Sequence, residues 1–137
     1  MSTNIRPEIS MKNDYWIERH RYYEPKHFCL QYPMWRKASS GLDGLARHGT
    51  GIRNGLSSTS DPTSKAAEAR EWYLDKMHLV EEAARESDPA LAPYILKGVT
   101  EGMSYDHLRS KHNIPCGKDM YYNLYRRFFW LLNKTRD

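Results

Sequence analysis

The stretch from Lys118 to Leu132 is a helix-forming segment with more apolar surface than one helix face can hold. On a helical wheel, one broad face holds Met120, Tyr121, Leu124, Phe128, Leu131 and Leu132. The opposite face holds Lys118, Asp119, Tyr122, Asn123, Arg126 and Asn133. Phe129 and Trp130 fall on that second, polar side, where exposed rings would be unfavourable. Another segment must therefore cover them, and the aromatic N-terminal segment, of this chain or of a second copy, is the natural candidate.

Helix start and stop signals organise the second half of the chain. An Asp-Pro pair at residue 61 and another at residue 88 each predict a helix start, because aspartate caps free amide groups and proline needs no amide in the first turn. Gly102 is placed to end the second of these helices. Ser104 then predicts the cap of a short helix, which Asn113 can end in a left-handed conformation, and the last helix begins near residues 116–118.

The first half of the chain is less regular. Residues 1–38 carry aromatic rings at mixed helical spacings, typical of a core or an interface. Pro25 and Pro33 each remove an amide donor, so we expect two or three short helices with breaks there. Residues 39–60 contain five glycines and five serines without a sustained apolar period, which predicts a flexible linker. The basic residues of that segment leave an arm contacting a nucleic-acid backbone open as an alternative.

These signals predict an all-α fold: a small helical bundle with an aromatic-rich helical N-terminal segment and a C-terminal helix-turn-helix. The predicted parts are residues 1–38, the linker 39–60, and a helical domain over 61–137. The helix-turn-helix covers residues 104–132. A chain of 137 residues is the common size of one domain.

The predicted helix-turn-helix is the main functional signal, because the second helix of such a motif enters the DNA major groove. Lysine and arginine can neutralise phosphates or contact guanine, asparagine can contact adenine, and a tyrosine hydroxyl can reach either. Base or phosphate contacts are expected from Lys118, Tyr122, Asn123 and Arg126. Contacts to the flanking backbone are expected from Arg109 and Lys111. Two packed helices with a short turn give a similar pattern, so plain packing stays open.

The distribution of charge agrees with a polyanion partner at the C-terminus. The net charge is +4, but residues 1–60 carry nine Lys/Arg against five Asp/Glu, and residues 61–101 carry five against nine. Residues 102–137 carry seven against three. The basic excess next to the predicted reading helix is therefore more informative than the total. The acidic middle segment is most simply explained as a solvated helix face, with docking of the basic segments or repulsion of misplaced nucleic acid as the alternatives.

No residue pattern predicts catalysis or a cofactor. The sequence contains no phosphate-binding glycine loop, no Gly-x-Ser-x-Gly and no His-Glu-x-x-His. His27, Cys29, His112 and Cys116 do not have the spacing of a zinc site, so no metal is expected. A reactive thiol at Cys116 is a weaker interpretation than a small helix-capping residue. The protein is therefore expected not to be an enzyme.

The motifs together resemble a known family. The chain reads "YW…Y…K", then "DPT" opening a helix that continues "HLVEEA", then "YILKGVTEGMSYDHL", "NIP" and "YYNLYRRFFWLL". This layout, best over residues 61–132, resembles phage transcriptional regulators of the RinA and ArpU type. Those small proteins of Gram-positive phages and prophages have a C-terminal part similar to the helix-turn-helix of sigma factors. The resemblance implies sequence-specific binding to double-stranded DNA and activation of phage late genes.

Other functions and partners stay open. A small phage-type protein that binds and inhibits a protein partner, such as an anti-defence factor, would use the aromatic N-terminus as its surface. A small terminase-like DNA-packaging subunit is a third reading. RNA polymerase and a second copy of the chain are open partners of the regulator. No stretch of eighteen apolar residues and no secretory signal pattern occurs, so a cytoplasmic protein without membrane contact is expected.

Overall fold

The structure, a computed structural model, describes residues 15–48 and 62–136. Within these ranges the chain forms six helices and no strand, so the predicted all-α fold is confirmed there. The helices are α1 (Arg19–Leu30), α2 (Tyr32–His48), α3 (Pro62–Ser87), α4 (Ala92–Glu101), α5 (Tyr105–His112) and α6 (Lys118–Arg136). None of the helices in the described ranges is both long and apolar enough to cross a lipid bilayer.

The chain divides into two compact units. The first contains residues up to 31 together with those from 79 onward, and the second contains residues 32–78. In the first unit α1 packs on α4 and α6, while α4, α5 and α6 contact one another. These bounds differ from the predicted division at residues 38 and 60, because the N-terminal helix belongs with the C-terminal helices rather than forming a segment of its own.

The second unit contains α2 and most of α3. Tyr32, Trp35 and Ser39 are buried along α2, and the Ser39 hydroxyl donates to the Arg36 carbonyl at 3.0 Å and to the Met77 sulfur of α3 at 3.9 Å. This buried row carries the helix ten residues into the predicted linker, so that prediction was wrong for residues 39–48. The helix anchored by these buried residues continues through the glycines that follow, despite the low helix propensity of glycine. The rest of the predicted linker lies outside the described residues.

Several predicted helix ends are confirmed by their hydrogen bonds and backbone angles. Gly102 ends α4 in the left-handed conformation with φ of 71°, and Asn113 ends α5 in the same way with φ of 54°. The carboxylate of Asp88 accepts from the Ala90 and Leu91 amides at 2.9 and 3.1 Å. That carboxylate therefore closes a turn, and α4 itself begins only at Ala92.

The core of the first unit is built from rings and branched side chains of all its helices. Ile95 and Val99 of α4 lie beside Gly98, where the chain approaches α6 so closely that an added Cβ would overlap the Tyr121 hydroxyl. A larger residue at 98 would therefore push the two helices apart. The largest fully buried side chains of the unit are Tyr121, Phe128, Phe129, Ile95, Leu108, Ile114, Leu132, Val80, Pro25 and Cys29.

Pro25 lies inside α1 without ending it, so the predicted break at this position was wrong. Proline lacks the amide that would donate to the carbonyl four residues earlier, which here belongs to Arg21. The side-chain amide of Asn133 on α6 donates to that carbonyl at 3.3 Å. The C-terminal helix therefore supplies the donor that α1 lacks.

Because the Asn133 amide replaces the donor that Pro25 lacks, we expect substitutions at positions 25 and 133 to have non-additive effects on the free energy of unfolding. Asn133→Leu should destabilise the protein by about 1 kcal/mol, because it leaves the Arg21 carbonyl without its donor. In a Pro25→Ala background the backbone amide returns, so the same substitution should cost clearly less. Urea unfolding of the four variants measures the difference. An equal cost of Asn133→Leu in both backgrounds would contradict the account.

The buried tyrosines make stability dependent on alkaline pH. Burial raises the pKa of Tyr121 and Tyr125, and neighbouring tyrosines add to the rise. Burial likewise raises the pKa of the Cys29 thiol. Unfolded chains ionise these groups near their ordinary values, at about pH 8.5 for cysteine and about 10 for tyrosine. Below those values the buried groups leave the free energy of unfolding unchanged. Above them the unfolded chain ionises before the folded one, so the free energy of unfolding falls as pH rises.

We expect unfolding free energy to fall between about pH 9 and 11, by up to ~1.4 kcal/mol per pH unit for each buried group. Tyr125→Phe removes one such group, so its stability should fall less steeply. Urea unfolding at several pH values, with phenolate absorbance followed in parallel, measures both. A slope that Tyr125→Phe leaves unchanged would show that this hydroxyl does not titrate differently in the folded state.

Candidate nucleic-acid interface

The predicted helix-turn-helix is formed by α5, a connector over residues 113–117, and α6. Ser104 caps α5 as predicted, and its hydroxyl accepts from the His107 amide at 3.2 Å. Ile114 is fully buried, so the connector is anchored by an apolar side chain directly after the left-handed Asn113. Five residues, 113–117, join the two helices.

Polar contacts hold the connector against α5. The Tyr105 hydroxyl donates to the Cys116 carbonyl at 2.6 Å, and the Arg109 guanidinium donates to the Ile114 carbonyl at 3.4 Å. The Tyr122 hydroxyl of α6 accepts from the Tyr105 amide at 3.2 Å, which serves the otherwise unpaired start of α5. The orientation of α6 relative to α5 is therefore fixed by bonds at both ends of the connector.

Tyr122 is the one predicted DNA-contacting residue that the structure places in the core. Its side chain is only 7% exposed, and its hydroxyl is bonded to the Tyr105 amide. The helical wheel assigned it to the polar face because a single helix was treated as having one buried side. Here α6 packs on α1, α4 and α5, so its buried arc is wider than the wheel assumed.

The N-terminal half of α6 presents Lys118, Asp119, Met120 and Asn123 to solvent, with Arg126 half-buried one turn later. Met120 was predicted to face the core but is 50% exposed. Arg109 and Lys111 of α5 are exposed as well. We define the α5–α6 surface as these outward residues: Arg109, Lys111, Lys118, Met120, Asn123 and Arg126.

The α5–α6 surface is positively charged. It contains four cationic side chains, and the exposed acids next to it are Asp106 and Asp119. In the part of the chain that the structure describes, no acidic side chain forms an ion pair with Lys111, Lys118 or Arg126. Such cations remain available to an external anion, and a phosphate backbone would satisfy several of them together.

The C-terminal half of α6 is covered by the N-terminal segment. Tyr22 of α1 meets Phe129 edge to face at 5.3 Å between ring centroids, and its hydroxyl lies 2.8 Å from that of Tyr125. The Tyr15 ring packs against the edge of Trp130 at 5.4 Å. The predicted cover of these rings by the N-terminal segment is therefore confirmed within one chain.

Charged contacts close the same end of the helix pair. The Arg136 guanidinium donates to both carboxylate oxygens of Glu24 at 2.7 and 2.8 Å and lies 3.9 Å from the centre of the Phe28 ring. The Lys134 ammonium lies 4.2 Å from the centre of the Trp130 ring. These cations are used inside the fold, so the basic residues at the two ends of α6 differ in what they contact.

Sequence reasoning missed Met120 as a surface residue and Arg127 as a half-exposed cation. Arg127 follows Asn123 by one helical turn, and its guanidinium lies 5.9 Å from the centre of the Tyr15 ring. Only the contact with the N-terminal segment, which no local pattern encodes, explains why an arginine occurs there.

The described residues offer no arrangement typical of a metal site, since no three His, Cys, Asp or Glu side chains among them come together. Both cysteines are free. Partial burial and the nearby Asp88 carboxylate raise the pKa of the Cys116 thiol, which opposes the thiolate that a reactive cysteine needs.

Comparison of the chain with protein-family models, with curated proteins and with solved structures finds no match.

The role of Tyr122 can be tested by removing its hydroxyl. Tyr122→Phe keeps the ring but leaves the Tyr105 amide without its acceptor, so we expect a loss of about 1 kcal/mol in stability. Because the hydroxyl is buried, its removal should not alter any DNA binding by the folded variant. Thermal unfolding and a DNA titration measure the two effects. A variant of normal stability with weakened DNA binding would restore Tyr122 as a contact residue.

Proposed function

We propose that the protein is a sequence-specific, double-stranded DNA-binding transcriptional regulator whose α6 helix enters the major groove. The observation that carries the proposal is the division of α6 into two halves. The C-terminal half is fixed in the core by Tyr22 and the other N-terminal contacts, and the N-terminal half projects cations and an amide outward. A reading helix needs this combination of rigid support and exposed polar side chains.

The residue types on the α5–α6 surface suit distinct tasks. Asn123 can form a pair of hydrogen bonds with adenine, and Lys118 and Arg126 can contact guanine or phosphate. Arg109 and Lys111 on the preceding helix are placed for phosphates beside the groove. Met120 adds an apolar group of the kind that contacts the thymine methyl. The surface thus combines side chains that attract the backbone with side chains that distinguish bases.

The resemblance to RinA and ArpU type regulators extends this proposal. It implies a phage or prophage origin, action at promoters, and RNA polymerase as a partner. The competing role as an inhibitor of a protein partner relied on an exposed aromatic N-terminus. Four of those rings, at Tyr22, Phe28, Tyr32 and Trp35, are buried. The DNA-binding role is therefore the better supported of the two.

Direct titration tests the proposal. Fluorescence anisotropy of the purified protein with a pool of duplexes from neighbouring promoter regions should show binding that weakens with salt and that one duplex outcompetes. The slope of log affinity against log salt should be about 0.9 per phosphate contact. No binding at low salt would overturn the proposal, and binding without any preferred duplex would reduce it to non-specific affinity.

Three substitutions separate backbone contacts from base contacts. Lys118→Ala with Arg126→Ala should lower affinity for all duplexes and reduce the salt slope by about 0.9 for each phosphate that is no longer neutralised. Asn123→Ala should instead lose about 1–3 kcal/mol of discrimination at one base pair. Lys97→Ala is the matched control, because Lys97 pairs with Glu101 on α4 and is not one of the residues of the α5–α6 surface. Unchanged affinity in the double variant would exclude α6 as the reading helix.

A further inference from the structure

The exposed side of α3 in the second unit carries a tryptophan among carboxylates. Trp72 is 53% exposed, and the side chains that form a shallow hollow with it are Ser64, Ala67, Glu68, Glu71 and Asp75. We call Glu68, Glu71, Trp72 and Asp75 the acidic face. Tryptophan is enriched at the centres of protein interfaces, because its ring buries a large area at small cost in side-chain entropy.

The carboxylates of the acidic face form no ion pair with a cation of the described residues. In the described parts of the chain, no basic side chain forms an ion pair with Glu68, Glu71 or Asp75. Lys76 lies at the edge of the acidic face, with its ammonium 4.8 Å from the centre of the Trp72 ring. Further along α3, in contrast, Glu82 pairs with Arg85. The acidic face therefore lacks the internal pairing found elsewhere on the same helix.

The α5–α6 surface has the complementary pattern. It has one exposed apolar side chain, Met120, and its four cations are opposite in charge to the three carboxylates of the acidic face. Trp72 is 53% exposed and Met120 is 50% exposed, so each surface has an apolar side chain at its centre that a partner could cover. A thioether against an aromatic ring is a favourable contact, and arginine over tryptophan is another. An apolar centre with a rim of opposite charges is the usual anatomy of a protein interface.

From this complementarity we propose that the protein self-associates, with the acidic face of one copy bound to the α5–α6 surface of a second copy. Two copies can make the contact reciprocally, which closes a twofold dimer and uses each surface once per chain. The same cations then serve either the second copy or DNA. This part of the inference rests on the proposed function: DNA and self-association compete, and the dimer holds the reading helix out of contact with DNA.

Sedimentation velocity of the full chain at low and at high salt is the first test. We expect a dimer at low salt that dissociates as salt rises, because exposed charges attract over a distance that salt shortens. Glu71→Lys should weaken the dimer roughly tenfold or more, and Trp72→Ala should weaken it without changing its salt dependence. Glu86→Lys is the matched control, since it makes the same change of charge on α3 outside the acidic face.

A charge exchange gives the sharper test. Arg126→Glu should also weaken self-association, but an equimolar mixture of the Glu71→Lys and Arg126→Glu variants should form a dimer. In the mixture the new lysine meets the new glutamate, while the unchanged faces meet each other. The preferred duplex should dissociate the wild-type dimer. Dimer formation restored only in the mixture supports the contact directly, because misfolding of either variant could not produce it.

Three results would overturn all or part of the inference, and a fourth separates it from the proposed function. A wild-type monomer at low salt, or a dimer that Glu71→Lys does not weaken, would exclude the contact. A dimer that binds the duplex without dissociating would exclude the competition. A chain that forms the charge-dependent dimer but binds no duplex would overturn the proposed function and leave the contact established, so the two proposals fail separately.

Discussion

The packing of α1 against α6 is the contact on which the first unit depends. The Tyr22 ring covers Phe129, and the Tyr22 hydroxyl forms a hydrogen bond with the Tyr125 hydroxyl. Tyr22 therefore buries the second apolar side of α6, which lies outside its main apolar face. Helix α6 has two apolar sides. The helices that precede it directly in the sequence, α4 and α5, pack on one side, and α1 packs on the other. The first helix of the chain must therefore pack against the last one. This packing brings residues far apart in sequence into one core, which costs loop entropy that the buried rings have to offset.

This arrangement also determines where a functional surface can exist. Helix α1 covers the C-terminal half of α6, and α4 and α5 cover its inner side. Only the outward side of the first turns of α6 is left exposed to solvent. Gly98 allows α4 close enough to fix Tyr121, and Tyr122 fixes α5 from the adjacent position. Two consecutive tyrosines thus set the position of the helix, and the polar residue that follows them, Asn123, is presented to solvent. Precise presentation of a few side chains is what base recognition requires.

Local signals in the sequence were sufficient to predict an all-α fold and the positions of most helix ends. Capping residues act on their own turn, so Ser104, Gly102 and Asn113 could be predicted without knowledge of the fold. The errors occurred where tertiary contacts override local preference. Pro25 remains helical because Asn133 supplies a donor, and the glycine-rich stretch after Ser39 remains helical because its preceding turns are buried. The helical wheel placed Tyr122 on the exposed side and Met120 on the buried side, and the structure shows the reverse. The direction of the buried arc depends on three neighbouring helices, which the wheel does not include. Four of the six predicted contact residues are fully outward, and Arg126 is partly so.

The segregation of charge along the chain is easier to understand with two surfaces than with one. The proposed reading surface needs cations that no nearby carboxylate neutralises, and such a concentration of like charges is unfavourable through their mutual repulsion. The carboxylates of the acidic face belong to the second unit, on α3, whereas the cations of the α5–α6 surface belong to the first. The acids that do adjoin α6 are few, and one of them, Asp119, lies in its first turn where the helix dipole favours a negative charge. Because the acidic face retains an exposed tryptophan, its composition fits a contact surface better than a merely solvated one.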